Sequence, residues 1–172
     1  MQSLVQGLLE YSRVDSAGKK LVPVSVREVL VQALRNLKIA IEESGANVTW
    51  DELPELNADP TQIAQVFQNL IWNAIKFRSE APPVIHVGAA RRLDEWEFGV
   101  RDNGIGFDPQ FADKIFQLFQ RLHTRQQYAV TGIGLTICKR VIERHGGTTW
   151  SESEPGKGAT FHFTLPAARQ SI

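Results

Sequence analysis

Residues 69–77 read Asn-Leu-Ile-Trp-Asn-Ala-Ile-Lys-Phe and form the second half of a predicted helix. The helix is expected to begin at Asp59-Pro60, because an acidic N-cap followed by Pro at the first helical position is typical of a helix start. Its apolar residues recur at helical spacing and predict one buried face, formed by Ile63, Val66, Phe67, Leu70, Ile71 and Ala74. The stretch therefore combines a core-forming face with a second face that is polar.

The polar face of this helix carries Asn69, Asn73 and Lys76, which lie four and three residues apart and share one stripe. Asn is a poor helix-interior residue, because its side chain competes for backbone hydrogen bonds. Two aligned Asn residues followed by a cation therefore indicate a site, since an amide oxygen suits Mg²⁺ and a Lys can neutralise phosphate oxygens. A solvated helix surface is the alternative that the spacing alone leaves open.

A second candidate element is residues 102–106, Asp-Asn-Gly-Ile-Gly. The preceding strand has apolar residues at alternate positions up to Val100, and Asp102 continues the alternation. If that face is the core face, the carboxylate points inward and needs hydrogen-bond donors, which a ligand amino group could supply. Gly104 and Gly106 let the backbone turn sharply and approach a ligand closely. An ordinary Asp-Asn-Gly turn is the alternative.

A third candidate element is residues 131–135, Thr-Gly-Ile-Gly-Leu, which open into a predicted helix. Free amide groups and the positive end of the helix dipole suit phosphate at such a terminus, although Gly-x-Gly before a helix is a weak signal by itself. Residues 107–131, between the two glycine segments, are rich in Gln, Arg and Thr and are predicted to form a lid.

The remaining pattern predicts an α/β two-layer sandwich, with helices on one face of a mostly antiparallel sheet. A capping box at Ser25 and Glu28 starts a helix whose apolar face continues to Ile41 and which closes at Ser44-Gly45. The other predicted elements, by residue number, are a helix at 4–14, short strands at 21–24, 47–50 and 55–58, a hairpin at 84–90 and 95–101, a helix at 132–145 and a terminal hairpin at 148–154 and 159–165.

The composition is that of one globular domain, with 172 residues of which 42% are hydrophobic. Basic and acidic residues number 19 each, which argues against broad electrostatic binding to nucleic acid or anionic lipid. Cys138 is the one cysteine, so a disulfide framework and a cysteine metal cluster are excluded, and a reducing, cytoplasmic compartment is expected. No apolar run is long enough to span a membrane, so direct membrane contact is not expected and any anchor would lie upstream.

Together, these motifs resemble those of sensor histidine kinases. Residues 69–77 resemble the N box, 102–107 the G1 box, 115–123 the F box, 131–135 the G2 box and 156–160 the last glycine motif. The resemblance covers about residues 20–166, and the sequence of residues 120–123 is similar to that of the phytochrome-like branch. Residues 8–13 resemble the end of the family's dimerisation hairpin.

The resemblance implies a Bergerat-type ATP-binding fold, with ATP and Mg²⁺ as ligands. It implies that Asp102 accepts the adenine amino group, which favours ATP because guanine presents a carbonyl there. It further implies that Asn73 holds Mg²⁺ and that Asn69 supports the phosphate side. The full set of implied nucleotide-binding residues is Asn69, Asn73, Lys76, Phe77, Asp102, Gly104, Gly106, Arg121, Thr131, Gly132, Gly134, Leu135 and Thr160.

Within this set, the resemblance assigns Lys76 and Arg121 to phosphate oxygens and the amides of residues 132–135 to the phosphates. Phe77 would pack near the ribose or the base. Ala159 stands where the family commonly has Ser, so Thr160 is left to offer a hydroxyl.

A phosphorylated histidine of this family is followed by an acidic residue, and the chain has none. The residues after its four histidines, at positions 86, 123, 145 and 162, are Val, Thr, Gly and Phe. The chain is therefore interpreted as the catalytic half of a larger kinase that transfers the ATP γ-phosphoryl group to a His elsewhere. Residues 1–18 would be the end of a dimerisation helix plus a linker, and residues 19–172 the catalytic domain.

This interpretation implies two partners besides ATP, the protein's own dimerisation domain and a response-regulator receiver domain. The full-length protein would be a homodimer, whereas the fragment is expected to be monomeric. No catalytic residue is assigned within the chain itself.

Two other functions remain open. Related ATPases carry a Glu four residues before the Mg²⁺-binding Asn, but that position is Asn69 here and neither Gln65 nor Gln68 is a base, so hydrolysis should be slow. An interaction module without catalysis would show damage at Asn73, Lys76 or Asp102, and all three are intact.

Overall fold

The structure is a computed structural model that describes residues 2–116 and 134–168, with side chains from residue 5 onward. Its helices are α1 (Gln2–Arg13), α2 (Val26–Asn36), α3 (Lys38–Ser44), α4 (Pro60–Lys76) and α5 (Gly134–Arg144), with a short 3₁₀ turn at Pro109–Phe111. Its strands are β1 (Val22–Ser25), β2 (Asn47–Trp50), β3 (Glu55–Ala58), β4 (Val84–Arg92), β5 (Glu95–Asp102), β6 (Thr149–Ser153) and β7 (Ala159–Pro166). No helix in the described ranges has the length and apolar character needed to cross a bilayer.

Five strands form the main sheet, in the order β2-β4-β5-β7-β6, and β1 pairs with β3 in a small second sheet. The β2–β4 pair is parallel and the other pairs of the main sheet are antiparallel. The helices cover one face, where Phe163 contacts Phe67 of α4 edge-on, with ring centroids 5.6 Å apart. On the opposite face, Thr49 and Arg101 are exposed. The predicted two-layer α/β sandwich is therefore confirmed.

The predicted helix from Val26 to Ser44 is divided in two, and the prediction of one continuous helix was wrong. Leu37 has φ −103° and ψ 10°, and its N–H is shared between the carbonyls of Ala33 and Leu34. Such sharing is common where a helix ends. The second piece, α3, then ends at Gly45 in the left-handed region, as the sequence predicts.

A buried polar network holds the start of α4 against the end of α5. Asp59 is 1% exposed, and its Oδ1 accepts hydrogen bonds from the N–H groups of Thr61 and Gln62, as an N-cap does. Its own N–H donates to Nε2 of His145 at 3.0 Å, while Nδ1 of His145 lies 2.8 Å from the Val141 carbonyl. A backbone N–H can only donate and a carbonyl can only accept, so this geometry requires a neutral ring protonated at Nδ1.

The same network fixes the segment that follows α1. The Lys19 N–H donates to Oδ2 of Asp59 at 2.7 Å, and Arg144 donates to the Lys19 carbonyl at 2.5 Å and to Gln62 at 2.8 Å. Gln62 in turn donates to the carbonyl of the buried Val14 at 2.6 Å. We call Asp59, Gln62, Arg144 and His145 the Asp59 network.

The neutral state of His145 predicts an acid-sensitive stability. Burial lowers the pKa of His145 below its ordinary value of 6.5, so the unfolded chain binds a proton first as pH falls. The resulting stability is complete above pH 6.5 and decreases toward the lower folded-state pKa, by at most about 1.4 kcal/mol per pH unit. Urea unfolding from pH 8 to pH 5 should show this decrease, and His145→Gln should flatten it.

The matched control is His86→Gln, which removes a partly exposed histidine outside the Asp59 network. The His86→Gln variant should keep the part of the pH dependence of the unfolding free energy that comes from His145. An unchanged slope in His145→Gln would contradict the assignment of a neutral buried His145.

Candidate functional site

The polar stripe of α4 lies beside the start of α5. Most of the α4 side chains around the stripe are buried, whereas Asn69, Asn73 and Lys76 are partly exposed. Asn69 donates through Nδ2 to the carbonyl of Gly134, the first residue of α5, at 3.2 Å. The structure thus brings Asn69 and Gly134 together at the start of α5, and the binding of phosphate there stays a prediction.

Lys76 ends this stripe in the last turn of α4. Its ammonium lies 5.3 Å from the ring centroid of Trp72, one turn earlier in the same helix. Burial lowers the pKa of the Lys76 amine, because removal of water disfavours the charged form. The stripe therefore combines two neutral amides with a partly desolvated cation.

Asp102 is the last residue of β5. Its side chain lies on the face of the sheet that the helices cover. Its strand neighbours on that face, Phe98 and Val100, are fully buried. Oδ1 of Asp102 accepts hydrogen bonds from the N–H groups of Gly104 at 2.9 Å and Ala159 at 3.2 Å, whereas Oδ2 accepts none from the described residues. Burial raises the pKa of Asp102, and the two backbone hydrogen bonds act in the opposite direction. One oxygen is thus fixed, and the other is left for a donor such as a ligand amino group.

The glycines after Asp102 allow the protein's own backbone segments to pack together. A Cβ at Gly104 would overlap the carbonyl oxygen of Phe77, which accepts a 2.9 Å hydrogen bond from the Ile105 N–H. Gly106 has φ +66°, and a Cβ there would overlap the Glu154 carbonyl. Close approach to a ligand was the predicted role of both glycines. Their close neighbours among the described residues are the end of α4 and the β6–β7 turn, and the approach of a ligand stays a prediction.

Two residues that hold Asp102 were missed at the sequence level. Gly158 has φ +86° and packs directly on the Asp102 carbonyl, and Ala159 supplies one of the two N–H donors to Oδ1. The signal was available, because Gly156-Lys157-Gly158 marks a tight turn between two strands. The strand pairing that brings this turn to Asp102 could not be read from the sequence.

Thr160 lies on the wrong face of the sheet for its predicted role. It pairs with Arg101, so its side chain points to the face opposite Asp102 and lies beside Gly99 and His162. Neighbouring strand residues alternate between faces, so Ala159 occupies the Asp102 side instead. The structure therefore does not bring the Thr160 hydroxyl to the other candidate residues.

The first part of the predicted lid is packed on the core. The Phe107 N–H donates to Ser153 at 2.8 Å, Ser151 donates to the Ala112 carbonyl, and Phe116 contacts Phe161 edge-on. The described part of the predicted lid, residues 107–116, therefore contacts the core, and its remaining residues, 117–131, lie outside the described residues. Arg121, Thr131 and Gly132 lie outside the described residues.

Residues 58–169 match a protein family described as histidine kinase-, DNA gyrase B-, and HSP90-like ATPase. The chain belongs to this family. It is 57% identical over 166 residues to cyanobacterial phytochrome A of Nostoc sp., an alignment that covers 96% of the chain and 22% of that protein. This member of the ATPase family thus spans about a fifth of the length of that relative.

Solved histidine kinases have the same fold. The catalytic domain of histidine kinase ThkA matches with a TM-score of 0.74 and 26% identity, over 87% of this chain and 97% of that one. Full-length ShkA in complex with AMPPNP matches with a TM-score of 0.81 and 30% identity, over 99% and 36%. ThkA in complex with the response regulator protein TrrA matches with a TM-score of 0.74 and 25% identity, over 97% and 47%. The chain therefore has the Bergerat fold of histidine kinase catalytic domains.

The backbone packing at Gly104 predicts a large effect of one methyl group. Gly104→Ala forces a Cβ onto the Phe77 carbonyl, and such overpacking costs about 1–3 kcal/mol of stability. Gly88→Ala is the control, because the nearest atom there is Oδ2 of Asp51 at an ordinary 3.4 Å. Urea unfolding should show a clear loss in the first variant and little change in the second. Equal stability of the two variants would contradict the packing described for this family member.

Proposed function

We propose that this chain is the ATP-binding catalytic domain of a two-component sensor histidine kinase. It transfers the γ-phosphoryl group of ATP to a histidine on a dimerisation domain elsewhere in the full-length protein. The observation that carries the proposal is the placement of Asp102 beside the end of α4, with one carboxylate oxygen fixed by backbone donors. The similarity to histidine kinase catalytic domains supports the same reaction.

Asp102 recognises the base. The adenine amino group donates to the carboxylate oxygen that the described residues leave without a donor. Guanine presents a carbonyl at that position, so two acceptors would face each other in a partly buried site. A buried acceptor left without its donor costs about 1–3 kcal/mol, which supports selection of ATP over GTP.

The phosphates lie between α4 and the start of α5. Lys76 and Arg121 neutralise phosphate oxygens, and Thr131, Gly132, Gly134 and Leu135 surround the phosphates through the helix start. Phe77 packs near the ribose or base. The hydrogen bond from Asn69 to the Gly134 carbonyl supports this role, because it fixes the helix start beside the stripe.

Mg²⁺ fits the middle of the stripe. The amide oxygen of Asn73 is a hard, neutral ligand on a partly exposed position, and a bound nucleotide and water would supply the other oxygens. The described residues contain no group of three or more His, Cys, Asp or Glu side chains able to hold a metal ion. When bound, Mg²⁺ supplies charge neutralisation to the phosphates.

Phosphoryl transfer is favoured over hydrolysis because the stripe lacks a carboxylate that could activate water. Asn69 stands four residues before Asn73 and donates to Gly134, and an amide is not a general base. Cys138 is not a nucleophile, since burial raises its pKa to about 12. His145 and His162 are held within the fold by Asp59 and by stacking on Trp150, which supports an acceptor outside this chain.

The remaining proposals concern the whole protein. Residues 1–18 are the end of a dimerisation helix and its linker, and the hydrogen bond from Gln62 to the Val14 carbonyl supports a fixed connection to the domain. A response-regulator receiver domain is the downstream partner, as the ThkA–TrrA complex suggests by similarity. The full-length protein is a homodimer that uses cytoplasmic ATP, and this domain contacts neither nucleic acid nor membrane.

The first experiment is calorimetric titration with ATP and then GTP, each with Mg²⁺, with phosphate release assayed in the same samples. Selective ATP binding with negligible release supports the kinase. Steady phosphate release would support an ATPase instead, and absence of binding would support an interaction module. Addition of an isolated dimerisation domain from a phytochrome-like relative should then allow phosphorylation of its histidine.

Two variants should separate base from metal recognition. Asp102→Asn should weaken ATP binding by about 10- to 100-fold, because its amide nitrogen faces the adenine amino group. Asn73→Ala should lose only the part of the affinity that depends on Mg²⁺, measured as the difference with and without EDTA. Asp51→Asn, an exposed position at β2, is the control and should bind as the wild type does. Equal affinity in all proteins would contradict the assigned roles.

A further inference from the structure

Trp72 is a large aromatic residue with 39% of its surface exposed, on a helix whose apolar residues are otherwise mostly buried. It follows the fully buried Ile71 and precedes Asn73 of the polar stripe. Its exposed position indicates that core packing does not account for it. The Lys76 ammonium lies over the Trp72 ring, 5.3 Å from the ring centroid.

The geometry of this contact allows the Trp72 ring to restrict the conformations of the Lys76 side chain. Residues four apart on a helix lie one above the other, so the Trp72 ring and the Lys76 side chain occupy the same side of α4. An ammonium within about 6 Å of an indole centroid is attracted by the negative face of the ring. The flexible Lys side chain otherwise loses considerable rotamer freedom when it binds a ligand. A ring that restricts the side chain beforehand reduces that loss.

An aromatic partner also differs from an acidic one. A carboxylate at position 72 would hold Lys76 but would place a negative charge next to the phosphates. The indole ring orients the ammonium and contributes no net charge of its own. The Trp72 contact therefore brings no negative charge to the Lys76 ammonium, and the partial burial that lowers the Lys76 pKa strengthens its electrostatic interactions.

We propose that Trp72 is a positioning residue that orders the Lys76 ammonium for the nucleotide phosphates. The inference rests on the proposed function and deepens it. Trp72 contributes to affinity for phosphorylated nucleotides through Lys76, and it contributes nothing to recognition of the base.

The test compares Mg²⁺-ATP with adenosine, which has no phosphates. Trp72→Leu should weaken Mg²⁺-ATP binding about two- to fivefold, as expected for a partly exposed cation–π contact, and leave adenosine affinity unchanged. Trp72→Tyr should retain most of the affinity, because it keeps an aromatic face. In a Lys76→Met background, Trp72→Leu should cause no further loss.

The control is Trp96→Leu. Trp96 forms a similar contact with Arg91, whose guanidinium lies 5.9 Å from its ring centroid, but that pair is on the β4–β5 hairpin. This variant should bind Mg²⁺-ATP as the wild type does. Thermal unfolding of all variants checks that differences in affinity do not come from loss of fold.

Three results would overturn the inference. Unchanged Mg²⁺-ATP affinity in Trp72→Leu, an equal loss of adenosine affinity, or a full additional loss in the Lys76→Met background would each show that Trp72 does not act through Lys76. A wild-type chain that binds no ATP would overturn the proposed function, and this inference with it. Binding by the wild type with no effect of Trp72→Leu would overturn the inference alone.

Discussion

Helix α4 is held at both of its ends by hydrogen bonds to distant segments, and the candidate site lies along the side chains between them. At the first end, Asp59 caps the helix and accepts the Lys19 N–H. At the other, the Phe77 carbonyl accepts the Ile105 N–H, and Gly104 packs against it. Neither end can rotate or slide without loss of these partly buried hydrogen bonds, which are costly to leave unmade. The orientation of the stripe relative to Asp102 is therefore set by backbone geometry.

Helix α5 is joined to α4 at both ends as well. Its last turn meets Asp59 through Arg144 and His145, and its first residue accepts the Asn69 amide. The two helices that would surround the phosphates thus form one cross-linked pair. The segment after α1 is hydrogen-bonded to this pair, so any displacement of that segment first strains the Asp59 network.

Local spacing was sufficient for most of the elements and for the stripe, because helical and strand periodicities act within a few residues. It was insufficient wherever the result depends on pairing between distant segments. Thr160 was misplaced because its role came from the family resemblance, whereas alternation with the buried Phe161 and Phe163 in its own strand puts it on the opposite face. The pairing that brings Ala159 to Asp102 joins segments that are distant in the sequence. The neighbours of Gly104 and Gly106, at Phe77 and Glu154, are likewise long-range. The helix break at Leu37 left no Gly or Pro signal to detect.

The division of charge across the site follows from these constraints. Asp102 lies on the covered face of the sheet, where one oxygen is fixed and burial makes an unmatched partner costly. Lys76 lies at the partly exposed end of α4, 5.3 Å from the centroid of the neutral Trp72 ring, and its charge acts over a longer range than a hydrogen bond does. Buried hydrogen bonds discriminate between similar groups, whereas a partly exposed cation attracts any anion. In the proposed function, selectivity for the base therefore comes from the end of β5, and affinity for phosphates comes from the end of α4, where the Phe77 carbonyl accepts the Ile105 N–H.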